Sequence, residues 1–145
     1  LAAYRQAAMQ TTVQRFATWW SIWLIAILIV AVLIWLAMLG DPTPMRHIVV
    51  AGTVLMVNFW HALFHLCTGI VGLFAAVRRR TAQTFAIAAG TFYVGIGIVA
   101  FSGSDILGPF GMMPNDIVGN AAHVLEGSLM LVVGLGSLRT SRRRA

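Results

Sequence analysis

The stretch ATWWSIWLIAILIVAVLIWLAML, residues 17–39, carries no charge from end to end. About 20 apolar residues suffice to cross the hydrocarbon core of a bilayer, so this run predicts a membrane-spanning helix. Trp19, Trp20 and Trp23 crowd its start, as expected of an interfacial aromatic belt. Gly40-Asp41-Pro42-Thr43-Pro44 closes it with residues that break helices.

Three further apolar runs follow. The second ends at Val77, before Arg78-Arg79-Arg80. A helix from His47 to Val77 would be roughly 46 Å long at 1.5 Å per residue, too long for an upright span. Helix is therefore expected to begin between Gly52 and Asn58, giving a span of about 53–77, with the preceding segment at the interface or beyond it. The third span covers about 82–101 and stops at Ser102-Gly103-Ser104-Asp105; the fourth covers about 116–138. Composition agrees. The 145 residues are 59% hydrophobic and only 10% charged, with mean hydropathy +0.86, whereas soluble domains carry about 25% charged residues. So small a core could not hide this much apolar surface from water.

All ten basic residues are arginines, and they fix an orientation. With four spans, Arg5, Arg15, Arg78–Arg80, Arg139 and Arg142–Arg144 share one side. Arg46 lies on the other, with Asp41, Asp105 and Asp116. The positive-inside rule makes the first side cytoplasmic, with both termini on it. The net charge of +6 thus speaks for topology and lipid headgroups, and no nucleic-acid partner is expected. Cys67 is the single cysteine, so no intramolecular disulfide can form. The first apolar run is too long for a secretory signal peptide, and the start at Leu1 leaves room for residues before it. Residues 1–16 form a cytoplasmic segment, either an amphipathic surface helix or a solvated extension of span one. Residues 139–145 form a basic cytoplasmic tail.

The chain reads as an all-α integral membrane protein of four transmembrane helices, arranged as two tandem helical hairpins. Thr12-Val13-Gln14-Arg15-Phe16-Ala17 before span one resembles Thr81-Ala82-Gln83-Thr84-Phe85-Ala86 before span three. Two registers compete for spans two and four. One sets Asn58 and His61 on Asn120 and His123, with Gly72-Leu73 on Gly134-Leu135. The other sets His65 and Gly69 on His123 and Gly127. A duplication relates the hairpins by a pseudo-twofold axis along the membrane normal.

Few polar groups interrupt the spans, and ionisable ones there cost about 2.5–3.5 kcal/mol on insertion scales. They are His61, His65, His123 and Glu126, accompanied by Asn58, Asn120 and, at the start of span four, Asp116. His61 and His65 share a helix face, as do His123 and Glu126. All four lie in the outer half. Three chemistries fit. An interhelical hydrogen-bond cluster of Asn58, His61, His65, Asn120, His123 and Glu126 contributes about 0.6 kcal/mol per bond. A cofactor site uses His61, His65 and His123 for haem, a chlorophyll-type pigment or a transition metal, with Glu126 as a further metal ligand. A proton or ion relay is the third, but the cytoplasmic half of spans two and four offers no ionisable group before the arginines. His47 reads as a surface residue of the outer loop. Gly69, Gly72, Gly127 and Gly134, with Gly90, Gly95 and Gly97, let helices approach closely. The loop 104–115 is apolar enough to lie in the interface or dock on another chain.

At these residues the chain resembles a bacterial membrane family known as domain of unknown function 4383. Its members look like four-span proteins in which Asn-x-x-His…His-x-x-x-Gly-x-x-Gly-Leu opens the second span. Here that is Asn58, His61, His65, Gly69, Gly72 and Leu73. Pro114, Asn115, Asp116, Asn120 and His123 resemble the opening of the family's fourth span. Two positions depart: Ala62 stands where members often have Asn, and Glu126 where they usually have an apolar or small residue. The resemblance implies fold and topology and no activity. No nucleophile–base pair or phosphate-binding loop appears, so no enzyme is expected. The expected function is a non-catalytic accessory or structural subunit of a larger assembly in the bacterial cytoplasmic membrane, with lipids and other membrane subunits as partners. The alternatives are the cofactor-binding protein and a small solute or proton channel.

Overall fold

Apolar side chains at every position of a helix leave only its ends and its small residues to decide how it packs. The computed structural model describes residues 11–37, 45–50, 53–102 and 116–142. They form α1 (Thr12–Ala37), β1 (Met45–Val50), β2 (Thr53–Asn58), α2 (Phe59–Ala76), α3 (Arg79–Phe101) and α4 (Ile117–Arg142). Two of these helices, over Arg79–Phe101 and Ile117–Ser137, are long and apolar enough among the described residues to cross a membrane.

The helical architecture follows the expected one, with shifted ends. α1 begins at Thr12, so the expected boundary at 16/17 falls inside a helix, and Val13 and Ala17 are buried rather than solvated. α3 begins three residues early, and α4 is capped by Asp116, whose Oδ1 accepts the Gly119 N–H at 2.7 Å. The larger departure is at 45–58. Here β1 and β2 pair antiparallel, Met45 opposite Asn58 and Val50 opposite Thr53, and α2 starts only at Phe59. Residues 53–58 of the expected second span are therefore strand. The segment is rich in Val and Ile, which favour pleated backbone, and a short apolar run cannot be assigned to helix or strand by periodicity alone. The first four residues of the expected tail 139–145 continue α4 to Arg142; residues 1–10, the breaker sequence 40–44, the loop 104–115 and the remaining tail residues 143–145 lie outside the described residues.

Antiparallel pairing dominates the bundle. The most extensive contacts join α3 to α4, and the next join α1 to α2. Both pairs are held by glycines that bring backbones together. At Gly69 a methyl group would lie 2.9 Å from the Ser21 carbonyl oxygen, 2.8 Å from Ile25 and 3.3 Å from Leu24. At Gly127 it would lie 2.6 Å from the Gly90 carbonyl oxygen, 2.6 Å from the Val94 nitrogen and 2.9 Å from Tyr93. The alignment that sets Thr12 on Thr81 also sets Ser21 on Gly90, Leu24 on Tyr93 and Ile25 on Val94. The two glycines thus meet equivalent neighbours.

A second contact repeats in the same way. Gln14 Nε2 donates to the Ala76 and Val77 carbonyls at 3.1 Å, satisfying acceptors that the end of α2 leaves open. Gln83, its equivalent, donates to the Gly134 carbonyl at 3.2 Å. Ala76 falls on Gly134 only when Gly69 falls on Gly127 and His65 on His123. The contacts therefore follow the second of the two registers. The first fails because Gly72 sits against Ser21 and Phe85, whereas Gly134 sits against Ala86 and Ile87.

The described core occupies the end of the bundle where α1 and α3 begin. Val13, Ala17, Ala76, Ala82, Phe85, Ala86 and Met130 are buried together there. Trp20 turns inward onto Phe16, with ring centroids 5.2 Å apart, and is packed against this core. The expected belt thus keeps Trp19 and Trp23, which are exposed. Arg15 and Arg78–Arg80 flank the same end, and Arg79 donates to the Ser137 carbonyl of α4 at 2.9 Å.

Candidate functional site

The far end of the bundle is polar. His61 and His65 project from consecutive turns of α2, and the His65 Nε2 lies 2.9 Å from the His61 Nε2. His123, on the second turn of α4, brings its Nε2 to 3.3 Å from the same His61 atom. The ring centroids of the three lie 4.7 to 5.9 Å apart. One ligand nitrogen from each falls within 4.8 Å of the other two. α2 and α4 meet here through side chains, their main packing partners being α1 and α3. His65 and His61 are buried, and His123 is half-buried.

α3 supplies a fourth member. The Tyr93 hydroxyl lies 3.1 Å from His65 Nδ1, on the side of that ring away from the other imidazoles. Tyr93 is 1% exposed. Its ring also meets His123 edge-on, at 5.4 Å and 72°. Tyr93 is not among the site residues expected from the sequence, which are histidines, carboxylates and amides. Its spacing from Gly90 and Gly97 was the available signal, since i, i+3 and i+7 share a helix face.

The other expected site residues separate from this group. Glu126 lies against α1, where the Trp23 Nε1 approaches its Oε1 at 3.5 Å, and it is not part of the three-histidine cluster. The expected Glu126–histidine bond is replaced by contacts among the imidazoles. Asn120 is buried where α4 crosses Gly97, whose added methyl would stand 2.8 Å from the Asn120 carbonyl oxygen. Asn58 ends β2, directly before the helix that bears His61; its side chain, like that of His47 in β1, lies outside the described residues. Cys67 is exposed on α2, in an open apolar groove lined also by Phe64, Val71, Phe85 and Phe92.

The family described as Domain of unknown function (DUF4383) matches residues 14–136. The chain belongs to that family. No curated protein and no solved structure matches it. In this DUF4383 member the match takes in both hairpins and every residue of the cluster, from Gln14 to Gly136.

Proposed function

We propose that this chain is a four-span protein of the bacterial cytoplasmic membrane, with both termini cytoplasmic, that holds a ligand between its two hairpins without catalysing a reaction. The observation carrying this reading is the convergence of His61, His65 and His123, from two helices, on a common point. Membrane placement is supported by large apolar side chains facing outward along the helices, such as Phe74 and Ile117, each 76% exposed. α1, at 26 residues, has the length to span. The β1–β2 hairpin has open edges that lipid could not satisfy, so it belongs outside the hydrocarbon. With the arginines cytoplasmic, the cluster lies in the outer half.

The apolar core at the arginine end speaks against a proton or solute path. Val13, Ala17, Ala82, Phe85 and Met130 are apolar there, the buried Ser21 hydroxyl donates to the Ala17 carbonyl, and Gln14 and Gln83 donate to backbone carbonyls. Between candidate ligands, the nitrogen spacing favours an ion. A haem or pigment ring held between His61 and His123 would have to push apart atoms now 3.3 Å from one another.

A second reading is an accessory subunit of a larger membrane assembly. It is favoured by Gly95 and Gly136, where an added methyl would meet nothing within 4 Å. Outward small residues are where another helix can pack. Extraction from native membranes in mild detergent, followed by metal analysis and an absorption spectrum, separates the two. Ligand holding predicts a bound group that is lost in His123→Ala. Recovery without any bound group, in a larger complex that survives His123→Ala, supports the subunit reading instead.

A further inference from the structure

Neutral imidazole has one N–H and one lone-pair nitrogen. His61 Nε2 has a neighbouring ring nitrogen at 2.9 Å and another at 3.3 Å. Whether it carries the proton or the lone pair, it can serve only one of those neighbours at full strength. Three like nitrogens gathered around one point are poorly matched by hydrogen bonds among themselves. They are well matched by a cation that accepts all three lone pairs.

We infer that His61, His65 and His123 ligate one late transition-metal ion of the Zn2+ type through their Nε2 atoms, in a three-nitrogen site with an open fourth position. This rests on the ligand-holding reading above and names the ligand. Zn–N bonds of 2.0–2.1 Å place the nitrogens of a tetrahedral site about 3.3 Å apart. The His61–His123 separation is 3.3 Å and the His61–His65 separation is 2.9 Å. Ligand nitrogens of all three rings lie within 4.8 Å of one another, and binding requires ring rotation to close the widest of the three separations.

The surroundings fit as well. A metal-bound histidine almost always donates its other N–H to a partner that fixes its tautomer. With Nε2 on the ion, His65 Nδ1–H donates to the Tyr93 oxygen at 3.1 Å. Tyr93 is thus a positioning residue. Imidazole nitrogen suits zinc and its late transition-metal neighbours, while calcium and magnesium seek oxygen. Of the described acids near the cluster, Glu126 is engaged toward Trp23 and Asp116 accepts the Gly119 N–H at the start of α4, and three protein ligands with an open position mark a site that exchanges its fourth ligand. The internal repeat accounts for the placement. His65 and His123 occupy equivalent positions in the two halves, and His61, whose counterpart is Gly119, adds the third nitrogen from one half alone.

The test is Co2+ titration of the full chain, purified and metal-stripped in mild detergent. The inference predicts intense visible bands of tetrahedral Co2+, saturating at one ion per chain, displaced by Zn2+ and untouched by Mg2+ or Ca2+. His61→Gln and His123→Ala should abolish the bands in protein that stays monodisperse and helical. Tyr93→Phe should keep the stoichiometry and weaken affinity about 10- to 100-fold, and Glu126→Gln should leave it unchanged. Weak octahedral bands, or equal binding by His123→Ala, would overturn the proposal. If Co2+ does not bind but the same histidines carry a haem or pigment, the metal assignment fails and ligand holding stands. If neither binds, both fail.

Discussion

The two hairpins are built on one plan and furnished differently. In each, a glutamine near the start of the first helix donates to a carbonyl at an equivalent place in the second, at the end of α2 but within α4, and a glycine two turns earlier in that second helix brings the backbones together. Each then offers one histidine at the same place, His65 or His123. Beyond that the halves diverge. α1–α2 adds His61, while α3–α4 adds Tyr93 where its twin has Leu24, and Glu126 where its twin has Thr68. The shared parts are those that pack helices against one another. The unshared parts are polar, and most of them surround one point between the halves. A repeat retained for packing alone has no need of that asymmetry.

The largest way to break the comparison is at the glycines. Gly127→Leu should abolish recovery of folded, monodisperse protein, because its first added carbon meets the Gly90 and Val94 backbones at 2.6 Å. The milder pair Gly127→Ala and Gly69→Ala tests whether the hairpins are equally tight. Overpacking costs about 1–3 kcal/mol, and Gly127→Ala should fall at the upper end, since it meets two backbone atoms at 2.6 Å, whereas Gly69 meets one, the Ser21 carbonyl oxygen at 2.9 Å, and the Ile25 side chain. Equal thermal shifts in detergent would remove this difference between the halves.

Next come the glutamines. Gln14→Ala and Gln83→Ala should each lower stability by about 0.6 to 1.7 kcal/mol, the range of interhelical hydrogen bonds in membranes. Gln14, serving two carbonyls, should cost more. A neutral result at one position only would mean that the repeat is not mechanical.

Much of this arrangement was legible in the residues, and the failures have physical causes. Uncharged runs, breaker residues and arginine placement locate the helices because spanning length and insertion cost are strict. The i, i+4 spacing of His61 and His65 predicts their common face because the helical repeat is equally strict. The repeat register was not legible, because apolar side chains align with almost any offset. The contacts of Gly69 and Gly127 with equivalent neighbours decide it. The β hairpin was hidden in a Val-rich run that suits either backbone. Trp20 and Glu126 show the limit of face arguments: spacing gives a side of the helix, while the partner across the gap decides where a side chain goes.

A smaller effect separates the polar residues of α3–α4. Tyr93→Leu makes that half resemble α1–α2 and removes the hydroxyl on His65. It should lower stability by about 0.6 kcal/mol but weaken metal binding 10- to 100-fold. Stability loss with unchanged metal affinity would reduce Tyr93 to a packing residue. Smallest of all, Cys67→Ser should change neither fold nor binding, since the side chain is exposed in the apolar groove. In membranes, Cys67 should react with a lipid-soluble maleimide and resist a charged one.

The most direct measurement is X-ray absorption at the zinc edge of protein loaded with one equivalent of Zn2+ in detergent. The account predicts a first shell of four light-atom ligands at about 2.0–2.1 Å, with the outer-shell scattering of three imidazoles, a signature that His123→Ala loses. A six-oxygen shell, or a spectrum that His123→Ala leaves unaltered, would contradict it.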